Sequence, residues 1–112
     1  MSGVVLCRLA DIDDGESNGF VATRPDGTRI GVLAVRRGIE VFAYVNSCPH
    51  TGAPLDFQPG RFLSLDKNFI QCSTHFALFR IADGYCVQGP CAGKSLAPLA
   101  VAVRDGAVFF AP

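Results

Sequence analysis

Two histidines occur in this 112-residue chain, and each stands close to a cysteine. The first pair lies in Cys48-Pro49-His50-Thr51-Gly52-Ala53-Pro54-Leu55 and the second in Cys72-Ser73-Thr74-His75-Phe76. The pattern is C-x-H followed, further along, by C-x2-H. Packing alone does not ask for imidazoles at those places. Two thiolates and two imidazoles make a donor set for zinc or for a mixed-ligand iron–sulfur cluster. Either would tie two distant loops to one point, so no other feature constrains the fold as much.

The rest of the chain reads as strands cut by turns. Val4 to Leu9 is rich in β-branched residues. The acidic segment from Asp11 to Gly19 reads as a solvated loop, and Phe20 to Thr23 as a strand. Pro25-Asp26-Gly27 is a turn. Thr28 to Val35 and Glu40 to Val45 form a hairpin across Arg36-Arg37-Gly38, and the second strand runs straight into Cys48. Beyond a turn at Gln58-Pro59-Gly60, the segments Arg61 to Leu65 and Phe69 to Gln71 read as strands, the latter delivering Cys72. Phe76 to Ile81 and Tyr85 to Val87 flank the turn Ala82-Asp83-Gly84. Leu99 to Arg104 and Ala107 to Phe110 form a last hairpin across Asp105-Gly106. No window carries a capped 3.6-residue apolar period, and turn signals recur about every eight to twelve residues, which predicts an all-β sandwich or barrel. There is no linker or repeat, so residues 1–112 are expected to form one domain, with a cluster-binding subdomain at about 46–92.

Charge and composition exclude several functions. Lys plus Arg and Asp plus Glu are equal at 10 each, so there is no basic footprint for nucleic acid or an anionic membrane. No apolar run approaches a bilayer span, and the opening residues Met1 to Cys7 lack the charged and apolar regions of a secretory signal. The expected location is the cytoplasm. Five cysteines is an odd number and fits thiols and metal ligands better than a disulfide framework. Cys7 and Cys86 read as small core residues.

Zinc fingers place both cysteines on a hairpin and both histidines on a helix. Here each loop carries one of each, and no helical pattern follows His75. That arrangement disfavours a structural Cys2His2 zinc module, which stays as an alternative.

Cys48-Pro49-His50-Thr51-Gly52, Cys72-Ser73-Thr74-His75 and the later Gly89-Pro90 resemble the Rieske iron–sulfur proteins over about residues 40–110. The resemblance implies an antiparallel β-sandwich or barrel with two cluster-binding hairpin loops and a covering proline loop. It implies one [2Fe–2S] cluster, with Cys48 and Cys72 on one iron and His50 and His75 on the other. Around these ligands it implies a supporting shell of Thr51, Gly52, Ala53, Thr74, Phe76, Ala77 and Pro90. Cys91 is similar to a residue often found beside the proline loop and is not counted as a ligand.

Departures from the family point to a subtype. Respiratory members have an extra disulfide between the ligand loops, but here those positions are Ala53 and Thr74. High-potential members place a Ser and a Tyr where this chain has Ala77 and Phe79, which carry no hydroxyl. Fewer hydrogen bonds to the cluster sulfurs predict the low end of the Rieske range of roughly −150 to +300 mV. The histidine ligands predict a potential that falls with rising pH. Pro49, Pro54, Leu55, Phe76 and Pro90 are expected to form an uncharged rim around the His50/His75 tip. No nucleotide loop, mononuclear iron motif or nucleophile–base set is present. The expected role is therefore a soluble Rieske ferredoxin that carries single electrons from a flavoprotein reductase to a terminal oxygenase, such as a ring-hydroxylating one. It would have no substrate chemistry of its own. The alternative from the same cluster is a small Rieske subunit of a larger reductase, similar to the nitrite reductase small subunit.

Overall fold

Val32, Leu33, Ala34 and Val35 are consecutive and all buried, on both faces of one strand. The structure, a computed structural model, describes residues 4–49, 52, 54–56, 60–72 and 76–110. The strand in question is β3 (Arg29–Arg37), which follows β1 (Val4–Arg8), a 3-10 turn (Leu9–Asp11) and β2 (Ser17–Thr23). It sits in a four-stranded antiparallel sheet of order β2-β3-β4-β8, where β4 is Glu40–Val45 and β8 is Pro98–Leu99. Side chains alternate across a strand, so four consecutive buried positions mean that this sheet is covered on both sides.

The two covers differ. Val32 packs with Ala22, Ala43 and Phe110, and Ala34 with Cys7, Ile12 and Val108. These residues face a three-stranded sheet of order β1-β10-β9, with β9 at Val101–Arg104 and β10 at Ala107–Phe110. Leu33 and Val35 point the other way, into a cluster with Tyr44, Phe62, Ile70 and Phe79. That second cover is a small sheet of order β5-β6-β7, formed by Phe69–Gln71, Leu78–Arg80 and Cys86–Gln88. The cysteines at 48 and 72 belong to this side.

A buried polar contact joins the turn after β6 to the middle sheet. The Tyr44 hydroxyl donates to the Ile81 carbonyl at 2.6 Å, buried. Gly84 passes so close to the Tyr44 ring that a Cβ there would lie 2.8 Å from Cε1. Burial, with the charge of Asp83 adding to it, pushes the Tyr44 phenol up to about 12.

The last hairpin closes as its sequence predicts. Asp105 and Gly106 have φ of 53° and 75°, the paired positive values of a two-residue hairpin turn. Several readings change. β2 begins at Ser17, inside the stretch read as loop, because Ser17, Asn18 and Gly19 pair with Val35, Ala34 and Leu33. Leu99 pairs with Ala43 on the middle sheet and does not belong to the last hairpin. Arg61 to Leu65 is not a strand; Leu63 makes a single bridge to Ile70. Phe62 and Leu63 are both buried, which strand alternation against one layer would not allow. The turn read at Gln58-Pro59 lies outside the described residues.

Candidate metal centre

Two loops carry the candidate cysteines, one following β4 and one joining the paired strands β5 and β6. The first loop leaves β4 at Val45. Asn46 anchors it, its N–H donating to the Gly31 carbonyl at 2.8 Å. The Asn46 side chain clamps the loop's far end: Oδ1 accepts from the Leu55 N–H at 2.8 Å, and Nδ2 donates to Asp56 Oδ1 at 3.2 Å. Inside the clamp the Gly52 N–H donates to the Cys48 carbonyl at 2.7 Å, and the Ser47 hydroxyl donates to the Gly52 carbonyl at 3.2 Å. Gly52 has φ of 77°, and among the described residues nothing lies within 4 Å of a Cβ there, so its backbone calls for glycine.

The second loop leaves β5. The Cys72 N–H donates to the Ala77 carbonyl at 2.9 Å and so closes the loop's two ends. Phe76 returns the chain with φ of 55°, a left-handed conformation uncommon for a bulky residue. The residue is 65% exposed.

Cys48 and Cys72 are 3% and 0% exposed and share one buried cluster with Leu55, Phe62, Ala77 and Phe79. None of the five cysteines is in a disulfide. Two buried thiols on neighbouring loops, walled by apolar side chains, are the chemistry a thiolate-held metal group requires. The donor set fits an iron–sulfur cluster on this evidence. His50 and His75 lie outside the described residues, as do Thr51, Ala53 and Thr74. Among the described residues no group of three or more His, Cys, Asp or Glu side chains gathers at one point.

The proline loop sits against the second ligand loop. A Cβ on Gly89, at φ of 107°, would lie 2.8 Å from the Ala77 Cα. Pro90 and Pro54 are exposed beside the loops, and Pro49 is half-buried. Leu55 is fully buried, so it underpins the tip and does not belong to the expected rim. Ala77 and Phe79 are buried in the cluster that holds both cysteines, and neither offers a hydroxyl there.

Cys86 and Cys91 hold a contact that sequence reasoning missed. Their Sγ atoms lie 3.3 Å apart, both buried. Cys86 Sγ also donates to the Gln88 carbonyl at 3.2 Å. Burial raises the Cys91 thiol, and the bond and charge of Cys86 and the charge of Cys48 add to the rise. Their Cys-x4-Cys spacing was the available signal. Cys7, in a different cluster, is the plain core residue expected, pushed up to about 11 by burial and the charge of Asp11.

The sequence profile of the Rieske [2Fe–2S] domain matches residues 2–104. This chain belongs to the Rieske [2Fe–2S] domain family. The group implied by the buried donor set is thus the Rieske-type [2Fe–2S] cluster, and the zinc alternative falls away. Solved structures share the Rieske fold over the whole chain. The ferredoxin of carbazole 1,9a-dioxygenase from Nocardioides aromaticivorans IC177 matches with a TM-score of 0.75 and 24% identity, covering 100% of this chain and 99% of its own. The Sphingomonas yanoikuyae B1 ferredoxin matches at 0.74 and 26%, covering 98% of each chain. A terminal oxygenase of carbazole 1,9a-dioxygenase, also from Nocardioides aromaticivorans IC177, matches at 0.74 and 23% over 96% of this chain but only 29% of its own. The same Rieske architecture thus occurs both alone and inside a larger chain. Among curated protein sequences none matches this one.

Proposed function

We propose that this Rieske domain is a one-electron carrier, a low-potential ferredoxin that takes electrons from a flavoprotein reductase and passes them to a terminal oxygenase. The observation that carries it is the burial of Cys48 and Cys72 together in one apolar cluster, in a chain matched end to end by free-standing ferredoxins. Solved complexes of oxygenase and ferredoxin in carbazole 1,9a-dioxygenase include chains of this fold, which favours an oxygenase as the electron acceptor. In this reading residues 1–112 form one domain, with the cluster-binding part at about 46–92, working in the cytoplasm. Among the described residues no helix is long and apolar enough to cross a membrane.

Cys48 and Cys72 would hold one iron, and His50 and His75 the other. When bound, the cluster supplies a site that gains and loses one electron. The chain's own part is to prepare and shield that site. Both thiols must give up their protons on binding, so loading depends on pH. Leu55, Phe62, Ala77 and Phe79 exclude water from the thiolate side. Asn46 and the Cys72–Ala77 bond hold the two loops in shape independently of any metal. Exposed Pro54, Phe76 and Pro90 offer an uncharged, apolar surface near the loops, suited to the small interfaces of transient redox partners.

The test is anaerobic purification with iron and acid-labile sulfide analysis, optical and EPR spectra, and then rapid mixing with a reduced flavoprotein reductase and an oxidised terminal oxygenase. A red-brown protein that takes up one electron per chain and yields it to the oxygenase is expected. Stoichiometric zinc without labile sulfide would overturn the cofactor assignment. A stable complex with a large reductase on size exclusion would overturn the free-carrier role.

A further inference from the structure

We propose that Cys86 and Cys91 form a redox-active dithiol that closes to a disulfide by exchange with a low-molecular-weight disulfide. The two Sγ atoms already touch at 3.3 Å. A disulfide needs about 2.05 Å, so the closure is a shift of roughly 1.3 Å shared between two side chains. The two cysteines stand across one narrow turn, which the Cys86 N–H closes by donating to the Lys94 carbonyl at 2.8 Å. The Gly93 N–H donates to the Cys86 carbonyl at 3.2 Å, the Lys94 N–H to the Cys91 carbonyl at 2.9 Å, and the Ala92 N–H to the Gly89 carbonyl at 3.1 Å.

Both cysteines are 1% exposed, while the turn that carries them lies at the surface. Gly89, Pro90, Ala92, Gly93 and Lys94 are all exposed. Short turns held by a few exposed hydrogen bonds open locally at little cost, so a small reagent can reach the pair without global unfolding. The other cysteines do not compete for this role. Cys7 lies in a separate cluster, and Cys48 and Cys72 are the candidate ligands.

The step balances. A thiolate of the pair attacks one sulfur of glutathione disulfide, breaking its S–S bond. One glutathione leaves and takes up the proton that the attacking cysteine lost. The second cysteine then attacks the protein-side sulfur of the mixed disulfide, loses its own proton and releases the second glutathione as a thiol. The dithiol is oxidised by two electrons, and glutathione disulfide is reduced by two.

A single peptide reads the outcome. Cleavage after Arg80 and after Lys94 gives residues 81–94, which contain Cys86 and Cys91 and none of the candidate ligands. The cluster-loaded protein is equilibrated in glutathione buffers from fully reduced to fully oxidised, quenched in acid, alkylated with iodoacetamide in denaturant and digested. The expected result is a changeover of this peptide from doubly alkylated to unalkylated and two hydrogens lighter, while the visible absorption stays constant. The proposal is overturned if the peptide stays doubly alkylated in fully oxidised buffer. It is equally overturned if the disulfide appears only in step with bleaching, which would mark it as a product of unfolding. The same mapping works on the metal-free chain, so a failed cluster assignment leaves this test standing.

Discussion

Gly89 and Ala77 are packed so that no side chain can stand between them: a Cβ at position 89 would lie 2.9 Å from the Ala77 Cβ and 2.8 Å from its Cα. The turn that carries Pro90 therefore rests directly on the residue that closes the second ligand loop through Cys72. Strain placed at one is felt at the other.

Gly89→Ala should cost about 2–4 kcal/mol, combining a left-handed backbone with an overpacked contact. Gly93→Ala is the control, because Gly93 has φ of 92° but no described residue within 4 Å of a Cβ. It should cost only about 1 kcal/mol, from the backbone alone. Urea unfolding of the metal-free variants measures both. Equal losses would mean that the Ala77 contact yields without cost.

Tyr44→Phe removes the only hydroxyl that reaches the Ile81 carbonyl in the described contacts and should cost about 1–3 kcal/mol at neutral pH. The pH dependence has a definite sign. An unfolded tyrosine titrates near 10, whereas Tyr44 in the fold is pushed up to about 12. Below pH 10 both states keep the proton and the contribution is complete. Between about 10 and 12 the unfolded chain ionises first, and stability falls by up to roughly 2–3 kcal/mol. The gap between wild type and Tyr44→Phe in urea midpoint should therefore narrow from pH 9 to pH 12. Cys7, raised to about 11, adds its own alkaline loss to both proteins and leaves their difference unchanged.

Ala77→Ser should raise the reduction potential of the loaded protein, because a hydroxyl would enter the buried cluster that holds Cys48 and Cys72. The wild-type potential should lie in the lower part of the Rieske range, below zero at neutral pH, as measured by film voltammetry. A wild-type value well above zero, or no upward shift in the variant, would mean that donors other than side-chain hydroxyls control the site.

Cys72→Ala and His50→Ala should each abolish cluster loading, read as iron and labile sulfide per chain. The metal-free fold of His50→Ala should be intact by circular dichroism. Retained colour in His50→Ala would remove that residue from the proposed ligand set.

Much of the architecture is legible from local chemistry. Asp105-Gly106 forces one hairpin through its backbone requirements, and Val32 to Val35 reads as a strand because its β-branched and aliphatic residues suit no solvated conformation. What escapes is decided by distant partners. Ser17 to Gly19 look like loop residues, and they are strand because β2 is an edge strand paired only to β3. Leu55 looks like rim from its place beside Pro54, but the Asn46 clamp turns it inward. At the site, the cysteine and histidine spacing names the cofactor family. The Cys86–Cys91 contact shows there only as a Cys-x4-Cys spacing, and the fold of the turn between them decides whether the two sulfurs meet.

The two-sided burial of β3 has a consequence for how the molecule is assembled. Neither outer layer can be removed without wetting two of its four consecutive apolar side chains, so a trimmed fragment bearing only the ligand loops would not keep its shape. The backbone amides of Val32 to Val35 should then exchange with deuterium only when the entire chain unravels. Formation of the electron-carrying tip would be inseparable from closure of the first and last strands, the parts of the chain most remote from it in the sequence.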